Sequence, residues 1–147
     1  LFRLFQSDVG LLTACYPARL RQDILQMNPD AEINFGSLFE NYVACELYAS
    51  DLKVYYYKTP KIGEIDFITE LEGNVLPIEV KSGRDFKRHK SLDNLMFHPA
   101  YNIPRGVVLS LNNLEISDRI FYCPIYMTPF FHPDQPDDQI INVKLFE

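Results

Sequence analysis

The sequence predicts an α/β fold: a mixed β-sheet flanked by helices. Three observations carry that expectation. A long segment with apolar residues at helical spacing precedes three closely spaced β-rich runs, and a further helix and two more short strands follow them. The composition is that of a folded globule, at 47% apolar and 14% aromatic residues. The 147 residues fit one domain, which at this size buries roughly two-thirds of its unfolded surface without needing a staple.

Taken in order, Leu1–Gln6 is expected as a short strand, and Val9–Cys15 and Pro17–Met27 as helices, with Pro17 near a helix start. Asn28-Pro29-Asp30 breaks the pattern. Phe35–Ala49 reads as a helix with Phe39, Val43 and Leu47 on one face. Leu52–Lys58, Glu64–Thr69 and Val75–Lys81 are aromatic or β-branched and read as strands, the last two joined by a turn at Glu72-Gly73-Asn74. Ser91–Phe97 is a helix candidate with Ser91 as its N-cap. Gly106–Leu111 and Arg119–Tyr122 are apolar runs suited to buried strands, the second halted by Pro124. Pro129–Gln139 is rich in Pro and Asp and is expected to be extended, and from 132 to 147 the chain is expected to leave the 1–131 domain as a tail, with Ile140–Phe146 as an edge strand.

Several classes are excluded or disfavoured. No apolar run approaches the ~20 residues of a membrane span, and no signal-peptide pattern is present. Cys15, Cys45 and Cys123 are odd in number and form no C-x-x-C pair, which disfavours zinc and disulfides, fits a cytoplasmic location and predicts three buried packing thiols. The net charge of −6 argues against strong independent DNA binding. Lys81, Arg84, Lys87, Arg88 and Lys90 nevertheless cluster, either as a solvated loop or as a phosphate-facing rim. His89, His98 and His132 lack metal-ligand spacing and read as surface groups, with His89 a candidate phosphate contact. Tyr55-Tyr56-Tyr57 reads mainly as core, with base stacking as the alternative. No Walker-type glycine loop is present, so the chain itself is not expected to bind ATP. Its first residue, Leu1, suggests a module of a longer protein.

The informative stretch is Lys61–Lys81. Strand alternation puts Glu64, Asp66 and Ile68 on one side and Ile65, Phe67 and Thr69 on the other. In the next strand Leu76, Ile78 and Val80 form the apolar side, and Pro77, Glu79 and Lys81 the other. Pairing through the Gly73 turn brings Asp66 beside Glu79, with Lys81 about 7 Å further along. Two adjacent carboxylates resist joint ionisation unless a cation lies between them, and hard divalent ions such as Mg²⁺ or Mn²⁺ favour oxygen ligands. Such an ion polarises a phosphate and activates water, while a lysine stabilises developing charge. An inward helix carboxylate would complete the set: Glu40 or Glu46 from the Phe35–Ala49 helix, with Glu64 as a further candidate.

Asp66 followed by Glu79-Val80-Lys81 resembles the D…(D/E)-x-K signature of the PD-(D/E)xK, restriction-endonuclease-like nucleases, with Ile65 where the nominal proline would stand. GSLFENYVACEL, YYYKTPKIGEIDFI, PIEVKSG and LFRLFQSDVGLL resemble, in that family's order, the uncharacterised domain at the carboxyl end of many predicted bacterial and archaeal AAA-type ATPases. The resemblance implies Asp66 and Glu79 as metal ligands, with Glu40 and the Val80 carbonyl as further ligands, and Lys81 as the catalytic lysine. It also implies an Mg²⁺ or Mn²⁺ cofactor, upstream ATPase and winged-helix modules, and nucleic acid as substrate, with Arg84, Lys87, Arg88 and Lys90 contacting it. The alternative is a catalytically silent module that binds DNA or docks the ATPase.

Overall fold

Apolar side chains on both faces of Val107, Val108 and Leu109 require a sheet covered on two sides. The computed structural model, which describes residues 2–28, 30 and 33–133, has this architecture. Three helices come first: α1 (Val9–Ala14), α2 (Ala18–Leu25) and α3 (Phe35–Ala49). A meander of β1 (Tyr55–Thr59), β2 (Gly63–Leu71) and β3 (Asn74–Val80) leads through α4 (Lys90–Met96) to β4 (Gly106–Ser110), β5 (Glu115–Ser117) and β6 (Ile120–Pro124). A 3-10 helix, Ile125–Phe130, follows. Among the described residues six strands form one mixed sheet in the order β1-β2-β3-β4-β6-β5, in which β3, β4 and β6 are parallel.

Each face has its own core. Val43 and Leu47 of α3 pack with Phe67, Ile78, Val80 and Leu109 on one side. Leu92, Leu95 and Met96 of α4 pack with Ile65, Val108 and Tyr122 on the other. Asn34 caps α3 by accepting from the Ser37 N–H at 3.3 Å. Beyond its end, Asp51 adopts φ 59° and the Leu52 N–H returns to the Leu47 carbonyl at 3.0 Å. The β2–β3 hairpin pairs Leu71 with Asn74, so its turn is Glu72-Gly73, both with positive φ, the geometry that matches strand twist.

Several expectations are corrected. Residues 2–6 form no strand: the Gln6 N–H donates to Asn41 Oδ1 (2.7 Å) and its carbonyl accepts from Asn41 Nδ2 (3.2 Å), so a helix side chain takes the backbone partners a strand would supply. Ser91 lies inside α4, whose N-cap position is His89, and packs against Gly63. Two short elements, β5 and the 3-10 helix, were not foreseen, and the latter replaces the start of the extended segment expected from Pro129. Cys123 is buried, but Cys45 is half-buried and Cys15 exposed, because α1 buries none of its residues. None of Tyr55, Tyr56 and Tyr57 is buried, since β1 is an edge strand. The expected edge strand Ile140–Phe146 lies outside the described residues. Among the described residues no helix is long and apolar enough to cross a membrane.

Candidate metal centre

β2 does not alternate regularly. Tyr57 pairs with Ile65 and Tyr55 with Ile68, so Asp66 and Phe67 together face Tyr56. This bulge explains why Ile65 joins the α4-side core while Phe67, two residues on, joins the α3-side core, against simple alternation. A bulge interrupts the ladder and re-aims a side chain. Here the Asp66 carboxylate Oδ2 accepts the Val80 N–H at 2.9 Å, taking the place of a β2 carbonyl, and the regular β2–β3 pairing ends at Phe67–Ile78. On its other side β3 continues one step along β4, with the Lys81 N–H donating to the Leu109 carbonyl at 2.8 Å.

Around this divergence the chain gathers its charges. Glu79 is 8% exposed; Lys81 Nζ donates to its Oε1 at 2.8 Å, while its Oε2 is buried with no hydrogen-bond partner among the described residues. An unpartnered buried carboxylate oxygen is costly unless something else satisfies it. Glu40 projects from α3 into the same cluster, with Oε2 2.8 Å from Arg3 Nη1. Arg3 Nη1 is also 3.6 Å from Asp66 Oδ1, and its Nη2 donates to Glu64 Oε1. Lys58 Nζ holds the other Glu64 oxygen at 2.6 Å.

The electrostatics follow from that crowding. Burial, then the Asp66 charge, pushes the Glu79 carboxyl above its ordinary range, against the opposing pull of Lys81. Burial and Asp66 likewise raise Glu40, with Arg3 opposing. Asp66 is raised by burial despite the Val80 N–H and Arg3. Glu64 is lowered, chiefly by its hydrogen bond from Lys58 and further by Arg3. Arg3 is disfavoured by burial, but Glu40, Asp66 and Glu64 outweigh this and hold its pKa above normal.

Of the expected site residues, Glu40, Asp66 and the further candidate Glu64 meet around Arg3, while Glu79, bonded to Lys81, lies within range of the Asp66 and Glu40 charges. Glu46, the alternative to Glu40, instead acts on Tyr42 and Cys45 along its own helix. Arg84, Lys87, Arg88 and Lys90 are all exposed in the loop and helix start after Lys81. Lys87 is engaged, donating to Glu115 at 2.7 Å and lying over the Phe86 and Tyr122 rings. His89 is not a surface group: it is 6% exposed, with Nε2 2.8 Å from the Tyr122 hydroxyl and Nδ1 3.0 Å from Asp93. Its two ring nitrogens both have partners inside the protein, which is the arrangement of a satisfied core histidine.

Arg3 was missed in the sequence. The one available signal was a lone basic residue in the apolar run Leu1–Phe5, read as strand. Its surroundings matter too. The segment carrying it is tied to α3 through Asn41, 2% exposed, and the Phe5 ring packs 5.5 Å from that of Phe67. An open groove of about 1070 Å³ runs from Arg3 and Asp66 past Phe5 to Tyr48 and Tyr55.

The chemistry of this donor set is that of a hard divalent ion: carboxylates, one of them with a buried free oxygen. In the present arrangement, however, no three acidic, His or Cys side chains among the described residues converge on one ion position. The sequence profile of a domain of unknown function, DUF4143, matches residues 35–127, well over half of the chain. The chain belongs to the DUF4143 family. The DUF4143 match takes in α3 with Glu40, the whole β1–β3 meander and β4 to β6; the Arg3 segment lies ahead of it. Comparison with curated proteins and with solved structures found no significant match.

Proposed function

We propose that this DUF4143 domain is a metal-dependent phosphodiester hydrolase acting on nucleic acid, a PD-(D/E)xK-type nuclease module of a longer AAA-type ATPase chain. The observation that carries the reading is the buried Glu79 Oε2, without a partner among the described residues and within range of the Asp66 charge, at the point where β2 and β3 part. Carboxylates crowded until burial and mutual repulsion raise their pKa values are an arrangement that a cation relieves. Asp66 and Glu79 would hold Mg²⁺ or Mn²⁺, with Glu40 and the Val80 carbonyl as further donors. When bound, the ion supplies Lewis-acid polarisation of a phosphate oxygen and a more acidic water.

The chain's own residues supply the rest. Lys81, fixed 2.8 Å from Glu79, holds an ammonium at the site that can donate to a phosphoryl oxygen as negative charge accumulates there. Arg84, Arg88 and Lys90 present exposed charge just after Lys81, where a nucleic-acid backbone would be steered. The groove leaving Asp66 offers Tyr55, 58% exposed, and Tyr48 as stacking surfaces. The scattered free thiols fit a reducing, cytoplasmic setting.

The test is incubation with Mn²⁺ and duplex, single-stranded and branched DNA. Cleavage by the wild type, lost in Lys81→Ala and in Glu79→Gln, is the expected result; inertness of the wild type on all three substrates refutes it. One observation favours a second reading. Arg3 neutralises Glu40 and Asp66 from within the protein, as expected of a silent module that docks the ATPase or binds DNA without cutting. Under that reading Asp66→Asn leaves cellular function intact.

A further inference from the structure

We infer that Arg3 is the resident cation of the acidic cluster, and that a divalent ion enters only by exchanging with its guanidinium. The inference rests on the metal-site reading above. Its basis is geometric. Arg3 reaches three carboxylates on two elements: Glu40 on α3, and Glu64 and Asp66 on β2, Asp66 within the bulge and Glu64 just ahead of it. Carboxylate oxygens around Mg²⁺ stand about 2.0–2.1 Å from the ion. Arg3 instead holds Glu40 at 2.8 Å and Asp66 at 3.6 Å on one nitrogen, and Glu64 on the other, so the acids bracket a planar fork rather than a point. This accounts for four carboxylates gathering without any three converging on one ion position among the described residues. Glu79, which Arg3 does not bond, is the acid left with a free buried oxygen.

The segment bearing Arg3 is held independently of its charge. Asn41 takes both backbone groups of Gln6, and Phe5 packs on Phe67. The Arg3 guanidinium also lies 5.3 Å over the Tyr56 ring, at the edge of the open groove. Exchange is therefore a side-chain movement: the strap stays, and Arg3 swings from the carboxylates toward the groove. A ligand that binds only the minor, open state shows an affinity reduced by that state's population.

Calorimetric titration of Mn²⁺ into the wild type, Arg3→Gln and Arg3→Lys, each checked for folding by its melting transition, tests the exchange. Arg3→Gln should bind about ten-fold more tightly, as when roughly one wild-type molecule in ten is open. Arg3→Lys should fall between, because one ammonium cannot bridge the acids as the fork does. In the wild type, the Arg3 side-chain NMR signal should move as Mg²⁺ saturates the site. Wild-type binding with unchanged or weaker affinity in Arg3→Gln, or an Arg3 signal indifferent to Mg²⁺, overturns the exchange and leaves the metal reading standing. Absence of Mn²⁺ heat in both wild type and Arg3→Gln overturns the metal reading and the exchange with it.

Discussion

Asp66 has two separable roles, and comparing Asp66→Asn with Asp66→Ala should resolve them. In the folded chain its Oδ2 is the acceptor for the Val80 N–H, whose residue is 7% exposed. Alanine leaves that amide buried without a partner, a cost of about 1–3 kcal/mol. Asparagine keeps an acceptor in place and removes a charge that burial disfavours and that repels Glu79 and Glu40, at the loss of its attraction to Arg3 and Lys81. Without metal, Asp66→Asn should therefore be close to wild type in stability, or above it at neutral pH. Asp66→Ala should lie about 1–3 kcal/mol below Asp66→Asn, the cost of the orphaned amide with the loss of charge common to both. At this chain length that is a melting difference of about 2–12 °C. Differential scanning calorimetry in chelator-treated buffer measures it. Both variants should lose Mn²⁺ binding. Equal melting of the two refutes the bulge argument, because Val80 would then not depend on the Asp66 side chain.

Further outcomes follow from the same geometry. Burial holds Asp66 above its ordinary 3.8 and Glu40 and Glu79 above 4.5, so these groups bind protons more tightly folded than unfolded. Their contribution falls as pH rises from those ordinary values through the raised ones, and metal-free Glu79→Gln should show a shallower decline in melting temperature over that window; an unchanged slope contradicts it. Glu64, held low, works the other way, its ion pairs being lost as pH falls below 4.5 toward its lowered value. Gly63 has φ 104°, and a Cβ there would collide with Ser91 Oγ. Gly63→Ala should cost about 2 kcal/mol, or roughly 4–8 °C of melting temperature, and a loss below about 1 °C refutes the strain.

Much of the scaffold was legible because its signals are local. The apolar stripe of Phe35–Ala49 marks α3 to the residue, and Glu72-Gly73 fixes the β2–β3 hairpin. Asp66, Glu79, Lys81 and Glu40 do gather, but not for the reason alternation supplied. A bulge is invisible to a period of two, and without it Ile65 and Phe67 would share a core. Arg3 and Asn41 were hidden for a different reason: each acts across more than 30 residues of sequence, through side-chain contacts that no local pattern encodes. His89 was misread because its burial depends on Tyr122, from a strand far along the chain.

The bulge in β2 also separates the packing of the sheet from the charge it carries. Ile65 answers to one helical layer and Phe67 to the other, while the residue between them answers to neither. Any side chain at position 66 that still receives the Val80 amide should let both layers close as they do now. The domain can thus exchange the charge at this position for another acceptor while its architecture endures, so the proposed metal site and the scaffold that carries it are separable by a single substitution.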